Sequence, residues 1–593
     1  MDRCPLLPVS AAATAKTAPG GPVSIPAEKA HCRRSRSRSR TSWAITLGLS
    51  GAAIFLLYLS RAPTVSPPTD LQTAQYSNNT DHDRLFQSIM ARMRHATHLS
   101  ASYCKSSVPT RSTYSPPSSL LKSTHRLKLK KVLVFARHGD RSPQNVLRDD
   151  IQSNVTWTCD SAEYTYIHDS AASSSPSSSS SSHRHHDRPL VAKRVNHINS
   201  KAAWHPRMWQ GTCAQSELTA RGRHMHIEFG RALRDVYIDR LGLKHEKAFL
   251  AGVRVRATDV GRTLRSAQAV VEGMYPGVKA EKDAFSEGGE RKVNIYTLPT
   301  EIDPLHSNKL DTQCPRLARI GSTIKSHPLW NTFLRESLHV RALVTAIAPL
   351  KSPPSLLLDA QQDAAGKKGV PSVTENLMCR TCWSKPMPCM SGTEVKARFV
   401  AHVVEEQRYT VAQAEQVAVR VLAPMMLSAA AGKDEDQICL DAATIESLAQ
   451  FKAFDFYMRN NWFPNRFARD QIRLELGPLL RETLSVLTSP LSPKLSLFLT
   501  HDGTLSGLLG ALRVAPEHHS WPAYRSNVVV EVWESKAGSE VVRVLRDGEP
   551  VRLDDELSPP CALGDGSCPL QTFIQDLRDR SVEDWEGACL EEE

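Results

Sequence analysis

A chain of 593 residues with 41% hydrophobic and 23% charged residues has the composition of a folded protein and is too long for one small module. The net charge of +12 suggests a nucleic-acid binder, but the surplus is local: residues 1–40 hold eight Lys/Arg against two Asp/Glu, half of the whole excess. The rest of the chain carries no concentrated basic surface, which excludes a polyanion-binding fold and predicts no nucleic-acid partner.

The basic segment closes with Arg33-Arg34-Ser35-Arg36-Ser37-Arg38-Ser39-Arg40, and residues 43–59 then run without a charge. Seventeen residues at about 1.5 Å rise each give roughly 25 Å, enough to cross a thin bilayer with little tilt. The run has no polar face and lies in a Pro/Ser-rich region, unlike a buried core helix. A cleaved leader is the alternative, but forty residues precede the run and no small-residue cleavage site stands out before Arg61. Basic residues in front and only Arg61 close behind put the N-terminus in the cytosol. The expectation is a basic cytosolic tail over 1–42, a transmembrane signal anchor over 43–60, and all later residues in a lumen or outside the cell.

Eleven of the 13 cysteines follow the apolar run, and an oxidising lumen would pair most of them with one left over. The sequons at Asn78 and Asn154 fall on the same side and are candidate glycosylation sites.

Residues 61–125 are rich in Ser, Thr and Pro and read as a stem, with a short helix over 83–93. Residues 127–136 (LKLKKVLVFA) end in a continuous apolar run, the pattern of a buried central strand. Residues 169–188 are nearly all Ser, with His183, His185 and His186, and read as a disordered surface insertion rather than a metal site. Leu218, Met225, Phe229, Leu233 and Val236 mark a helical stripe within 216–241. Residues 249–256 look like a strand and 259–271 like a helix. Residues 390–437 include an Ala-rich helical region that reads as a second insertion. Residues 495–499 (LSLFL) form another short buried strand, and 527–533 with 540–545 a late hairpin. Strands alternating with helices give an α/β fold with a largely parallel central sheet flanked by helices.

Three charged clusters each follow one of these strands: Arg137, His138 and Arg141; Arg256 and Arg262; His501 and Asp502. Open α/β sheets bind ligands beyond the carboxyl ends of their strands, so the clusters are expected in one pocket. Together they hold what phosphate-ester cleavage needs. Arg137, Arg141 and Arg262 supply planar, permanently charged donors for a phosphate dianion. A neutral His138 imidazole supplies a nucleophile, Asp502 a proton for the leaving oxygen, and His501 a further phosphate donor. Gly139 allows the backbone to turn tightly beside the phosphate.

These motifs resemble the histidine acid phosphatases. The resemblance rests on Arg137-His138-Gly139-x-Arg141-x-Pro143, the Arg262-Thr263 helix start, His501-Asp502 and Leu218-Thr219-x-x-Gly222, and it covers roughly residues 126–589. It implies a phosphohistidine at His138, neither metal nor cofactor, and an α/β domain capped by a mainly helical subdomain. Further features resemble the branch of that family that removes the 2-phosphate from xylose in the glycosaminoglycan–protein linkage region of the Golgi. They are the signal anchor, Tyr103-Cys104, Cys379-x-x-Cys382, Pro388-Cys389, Glu531-Val532-Trp533, the strand Val542-Arg543-Val544-Leu545 and Cys568-Pro569-Leu570. On that resemblance the partners are phosphorylated xylose, linkage-region glycosyltransferases and the Golgi membrane. The chain departs from the family pattern in its insertions, in Gly503-Thr504 and in Ala257. A general luminal acid phosphatase, an inositol-polyphosphate phosphatase and an inactive Golgi scaffold are the rival readings, and zinc is the rival use of the spaced cysteines.

Overall fold

The apolar run at residues 127–136 becomes strand β1 (Lys128–Arg137) because both its faces find a core. Val132, Val134 and Ala136 enter one apolar cluster and Leu133 and Phe135 the other, as the two-residue period of a strand requires. The computed structural model describes residues 103–117, 127–144, 147, 150, 155–159, 210–275, 293–326, 328–348, 370–407, 409–429, 436–460, 466–553 and 566–590, with three positions at 87, 90 and 91.

In chain order β1 is followed by β2 (Thr156–Trp157), β3 (Gln210–Gly211), α1 (Ala220–Leu233), α2 (Glu246–Gly252), β4 (Val253–Ala257), α3 (Gly261–Met274) and β5 (Ile295–Tyr296). Helices α4 (Pro315–Ser326), α5 (Pro328–Glu336), α6 (Leu338–Ile347) and α7 (Val370–Cys382) come next. Then come β6 (Cys389–Ser391), α8 (Gly392–Gln407), α9 (Val411–Ala429), β7 (Gln437–Cys439), α10 (Ala442–Asn460) and α11 (Arg466–Thr488). The chain closes with β8 (Leu495–Thr500), α12 (Asp502–Ala511), β9 (Asn527–Glu534), β10 (Glu540–Arg546), β11 (Glu549–Pro550), β12 (Ser567–Pro569), α13 (Leu570–Arg580) and α14 (Trp585–Leu590).

Among the described residues the main sheet runs β11-β10-β9-β1-β8-β4-β5, with β12 against β10. The segment β1-β8-β4-β5 is parallel, and an antiparallel meander starting at β9 extends it on one side. This is the expected α/β architecture. Arg137 pairs with Thr500 and Ala257 with Leu499, so β1, β8 and β4 end level with one another. That register places the residues following each strand side by side.

One face of the sheet packs on α1 and α3 through Phe229, Leu233, Ala267 and Val270. The other packs on α11, α12 and α13 through Leu476, Leu505, Phe573 and Leu577. Phe135 and Phe498 stack across β1 and β8 with centroids 4.6 Å apart, a contact worth about 0.5–1.5 kcal/mol beyond its area. A third cluster, including Trp330, Phe333, Leu377, Phe399 and Phe454, forms the core of a mainly helical region built from α4–α10.

The structure revises several boundaries. Residues 249–252 belong to α2, not to a strand, because Phe249 is the buried residue of a short helix that ends where β4 begins. Residues 103–117, expected within the stem, pack onto the domain. Tyr103 is fully buried, and the Tyr114 hydroxyl donates to Glu531, a buried carboxylate that also accepts from Tyr237, Trp533 and Arg543. Within residues 390–437 the helices α8 and α9 follow β6 and precede its partner strand β7, and both share the helical core.

Four disulfides join described cysteines: Cys104–Cys382, Cys159–Cys213, Cys314–Cys589 and Cys389–Cys439. Cys568 is also disulfide-bonded, and Cys379 is the described cysteine left unpaired. Zinc ligation by the spaced cysteines is thereby replaced by covalent pairing. Among the described residues no helix is long and apolar enough to cross a membrane. The span expected at 43–60, the Ser/His-rich segment 169–188 and both sequon asparagines, Asn78 and Asn154, lie outside the described residues.

Candidate active site

All six residues expected at the site meet at the level ends of β1, β4 and β8. The His138 amide donates to Thr500 O at 3.1 Å and the Thr258 amide to Leu499 O at 3.1 Å, stitching the three strand exits together. Helix α12 begins at Asp502 directly after His501, and Arg262 lies in the first turn of α3, so two helix N-termini open here.

Close backbone approach explains the glycines of two motifs. A Cβ on Gly139 would lie 2.5 Å from Gly222 O, and one on Gly222 would lie 2.1 Å from Asp140 O. Thr219 caps α1 by accepting from the Gly222 amide at 3.0 Å, and its hydroxyl also lies 2.7 Å from Asp140 Oδ2. The His138 loop and the start of α1 are thus a single interlocked unit.

His138 is buried, and its Nδ1 lies 2.8 Å from Gly139 O. A carbonyl only accepts, so Nδ1 carries the ring proton and Nε2 keeps its lone pair. Burial, then Arg262, Arg137, His501 and Arg141, hold the imidazole well below the usual histidine range, so it stays neutral.

Arg137 donates from Nη1 to Tyr103 Oη at 2.9 Å and to Pro522 O at 2.7 Å, and its Nη2 lies 3.2 Å from Asp502 Oδ2. Arg141 bonds Ser142 O and Ser216 Oγ through Nη1 and meets Glu375 Oε2 at 2.5 Å through Nη2. Arg262 Nη2 lies 3.4 Å from His501 Nδ1. Burial, then the like charge of Arg141, lower Arg262 to about 10, which leaves it cationic in any neutral or acidic medium. The Nε groups of Arg137, Arg141 and Arg262 are buried without a hydrogen-bond partner among the described residues. Such donors are costly unless an acceptor meets them, which suits the pocket to an anion.

His501 accepts from Arg262 at Nδ1, so its Nε2 carries the proton and donates to Thr258 Oγ1 at 3.1 Å. The chain continues from Thr258 to Thr263 Oγ1 at 2.8 Å and on to Val260 O at 2.7 Å. His501 therefore buttresses Arg262, and it reaches a phosphate directly only by opening one of these bonds. Burial opposes the Asp502 charge, but Arg137, then Lys452, a Trp521 indole bond at 2.8 Å and Arg141 outweigh it and pull the carboxyl down to about 2.

Several pocket residues escaped the sequence reading. His306 stacks on His501 with centroids 4.5 Å apart, and burial with Lys309 and Arg262 pushes it down to about 4. Trp383 donates to Asp140 Oδ2 at 2.5 Å, and Tyr524 and Trp521 flank Arg137. Glu375 comes from the helical region, and no local spacing in the sequence links it to residues more than 200 positions earlier. Arg256, by contrast, pairs with Asp303 and Glu482 at 2.8 and 3.0 Å and serves the fold.

A family model described as the histidine phosphatase superfamily (branch 2) matches residues 128–339, a segment that contains Arg137, His138, Arg141 and Arg262. Counting factor 60 of Dictyostelium discoideum is 25% identical over 244 residues, 40% of this chain and 50% of that protein, so the chain spans half the length of this relative. Lysosomal acid phosphatase of Bos taurus is 24% identical over 381 residues, 63% of this chain and 72% of that protein. A solved phytase of Hafnia alvei in complex with myo-inositol hexakis sulphate aligns with a TM-score of 0.39 at 14% identity, covering 78% of this chain and 98% of that one. The similarity to this family and to the acid phosphatases includes the segment that carries Arg137, His138, Arg141 and Arg262.

Proposed function

We propose that this chain hydrolyses phosphate monoesters through a phosphohistidine at His138. The observation that carries the reading is the His138 Nδ1 bond to Gly139 O, which leaves Nε2 as a lone pair among three guanidiniums. Nε2 attacks phosphorus, the ester P–O bond breaks, and the leaving oxygen takes a proton that Asp502, ionised in the free protein, relays from the substrate monoanion. Arg137, Arg141 and Arg262 stabilise the charge spread on the equatorial oxygens. A water then attacks phosphorus, returns a proton to Asp502, and releases inorganic phosphate with His138 restored.

The substrate we propose is the 2-phosphate of xylose in the glycosaminoglycan–protein linkage region, whose removal promotes proteoglycan synthesis. The support is the resemblance to 2-phosphoxylose phosphatase. Cys104, Cys382, Cys389 and Cys568, which carry part of that resemblance, are disulfide-bonded, in keeping with an oxidising lumen. The proposed setting is the Golgi membrane, with an anchor at residues 43–60, the catalytic part luminal, and linkage-region glycosyltransferases as neighbours. A general luminal acid phosphatase is the second reading, favoured by the similarity to lysosomal acid phosphatase. The test gives the full chain phosphorylated linkage tetrasaccharide, aryl phosphates and inositol phosphates. Preference for the tetrasaccharide supports the first substrate, equal use of all esters supports the second reading, and preference for inositol phosphates overturns both.

A further inference from the structure

The phosphate-binding arginines do not face a purely cationic wall. Helix α7 delivers Glu375, whose Oε2 lies 2.5 Å from Arg141 Nη2. The helix is held firmly at its C-terminal end. Cys382 is bonded to Cys104, Arg221 Nη1 donates to Cys382 O, Trp383 donates to Asp140, and Cys379 Sγ lies 3.2 Å from Tyr524 Oη. Glu375 therefore projects from an anchored element, and its negative charge is a fixed part of the pocket. It also bears on Arg262, whose positive form it favours.

A carboxylate at this place has two consequences. A carboxylate accepts hydrogen bonds from nearby hydroxyl groups, and its charge repels nearby anions. The mechanism above assigns Glu375 no step.

We propose that Glu375 is a specificity-determining residue that selects hydroxyl-rich esters with one phosphate, such as a singly phosphorylated sugar, over substrates with vicinal phosphates. This deepens the phosphatase reading above and rests on it. Removing the charge lifts the repulsion against a neighbouring phosphate, and the expected change is about tenfold or more in relative use of a polyphosphate.

The test measures kcat/KM for a pentose 2-phosphate and for myo-inositol hexakisphosphate with the full-length wild type, Glu375→Gln and Glu375→Asp. The wild type prefers the pentose phosphate. Glu375→Gln shifts the ratio toward the hexakisphosphate, mainly by lowering its KM, and Glu375→Asp, with the charge kept, stays close to wild type. An unmoved ratio in folded Glu375→Gln overturns the proposal. So does a wild type that prefers the hexakisphosphate, whether or not either variant folds. In both cases, aryl phosphate turnover through a phosphohistidine would leave the phosphatase reading standing. Failure to turn over any monoester marks failure of that reading instead.

Discussion

The Arg137 guanidinium lies 3.2 Å from the Asp502 carboxylate, and the rings of Tyr103, Trp521 and Tyr524 enclose its charge at 4.7–5.7 Å. This pair ties the phosphate clamp to the proton donor. It also keeps Asp502 ionised down to about pH 2, so the proton that the leaving oxygen needs arrives with the substrate.

The first prediction concerns pH. Asp502 is charged above about 2, so it does not change state between pH 4 and pH 7, and His138 is held neutral well below the usual histidine range. Two groups titrate in this interval: the ester, whose second pKa is about 6, and the buried Asp140 carboxyl behind the His138 loop, raised to about 6. For an alkyl phosphate, kcat/KM is expected to fall as pH rises through about 6. A pH–rate profile checks this, and a loss of activity toward acid centred near the usual histidine value of about 6.5 would contradict a lowered His138.

Asp502→Asn separates leaving groups. It keeps the side-chain shape but cannot donate the proton, so alkyl esters lose about 10²–10⁴-fold in kcat while aryl esters, with good leaving groups, lose far less. Removing the charge beside Arg137 also leaves more positive field for the phosphate, so inorganic phosphate inhibits the variant more strongly. Steady-state kinetics on paired alkyl and aryl substrates measures both effects. Equal losses for the two ester classes would count against Asp502 as the acid.

Asp140 predicts a stability change. Burial raises its carboxyl to about 6 against the bonds from Thr219 and Trp383, which lower it. A raised carboxyl gives stability that is complete below the unfolded value near 4 and is lost as pH rises through the folded value. The shift corresponds to about 3 kcal/mol. Chemical unfolding at pH 4 and pH 7 should show the wild type losing stability relative to Asp140→Asn over that interval.

The Cys104–Cys382 disulfide joins the segment carrying Tyr103 to the helix carrying Glu375. Replacing both cysteines with alanine is expected to cost about 2–5 kcal/mol. Because Tyr103 and Glu375 brace Arg137 and Arg141, KM for monoesters rises as well. Denaturant unfolding and kinetics on the double variant would show both, and a stability loss with KM unchanged would make the disulfide purely structural.

Much of the fold was legible because its strands are short apolar runs followed at once by charge, and the six expected site residues converge for that reason. His138 and Arg137 were readable from one contiguous string. Glu375, His306 and Trp521 were not, because each meets the pocket through tertiary packing of a distant element. The fold of residues 103–117 was hidden because Tyr103, Cys104 and Tyr114 are sparse anchors within a Ser/Thr/Pro-rich sequence. Residues 249–252 of α2 look like strand in the sequence because they run directly into β4.

The most direct test of the account is to trap the intermediate. The full-length chain is mixed rapidly with an aryl phosphate, denatured under alkaline conditions that preserve phosphohistidine, and mapped by peptide mass spectrometry. The account predicts a phosphoryl group on the peptide carrying His138, formed and lost at rates that match turnover and absent from His138→Ala. Turnover with the label on another residue, or sustained turnover by His138→Ala, would contradict it.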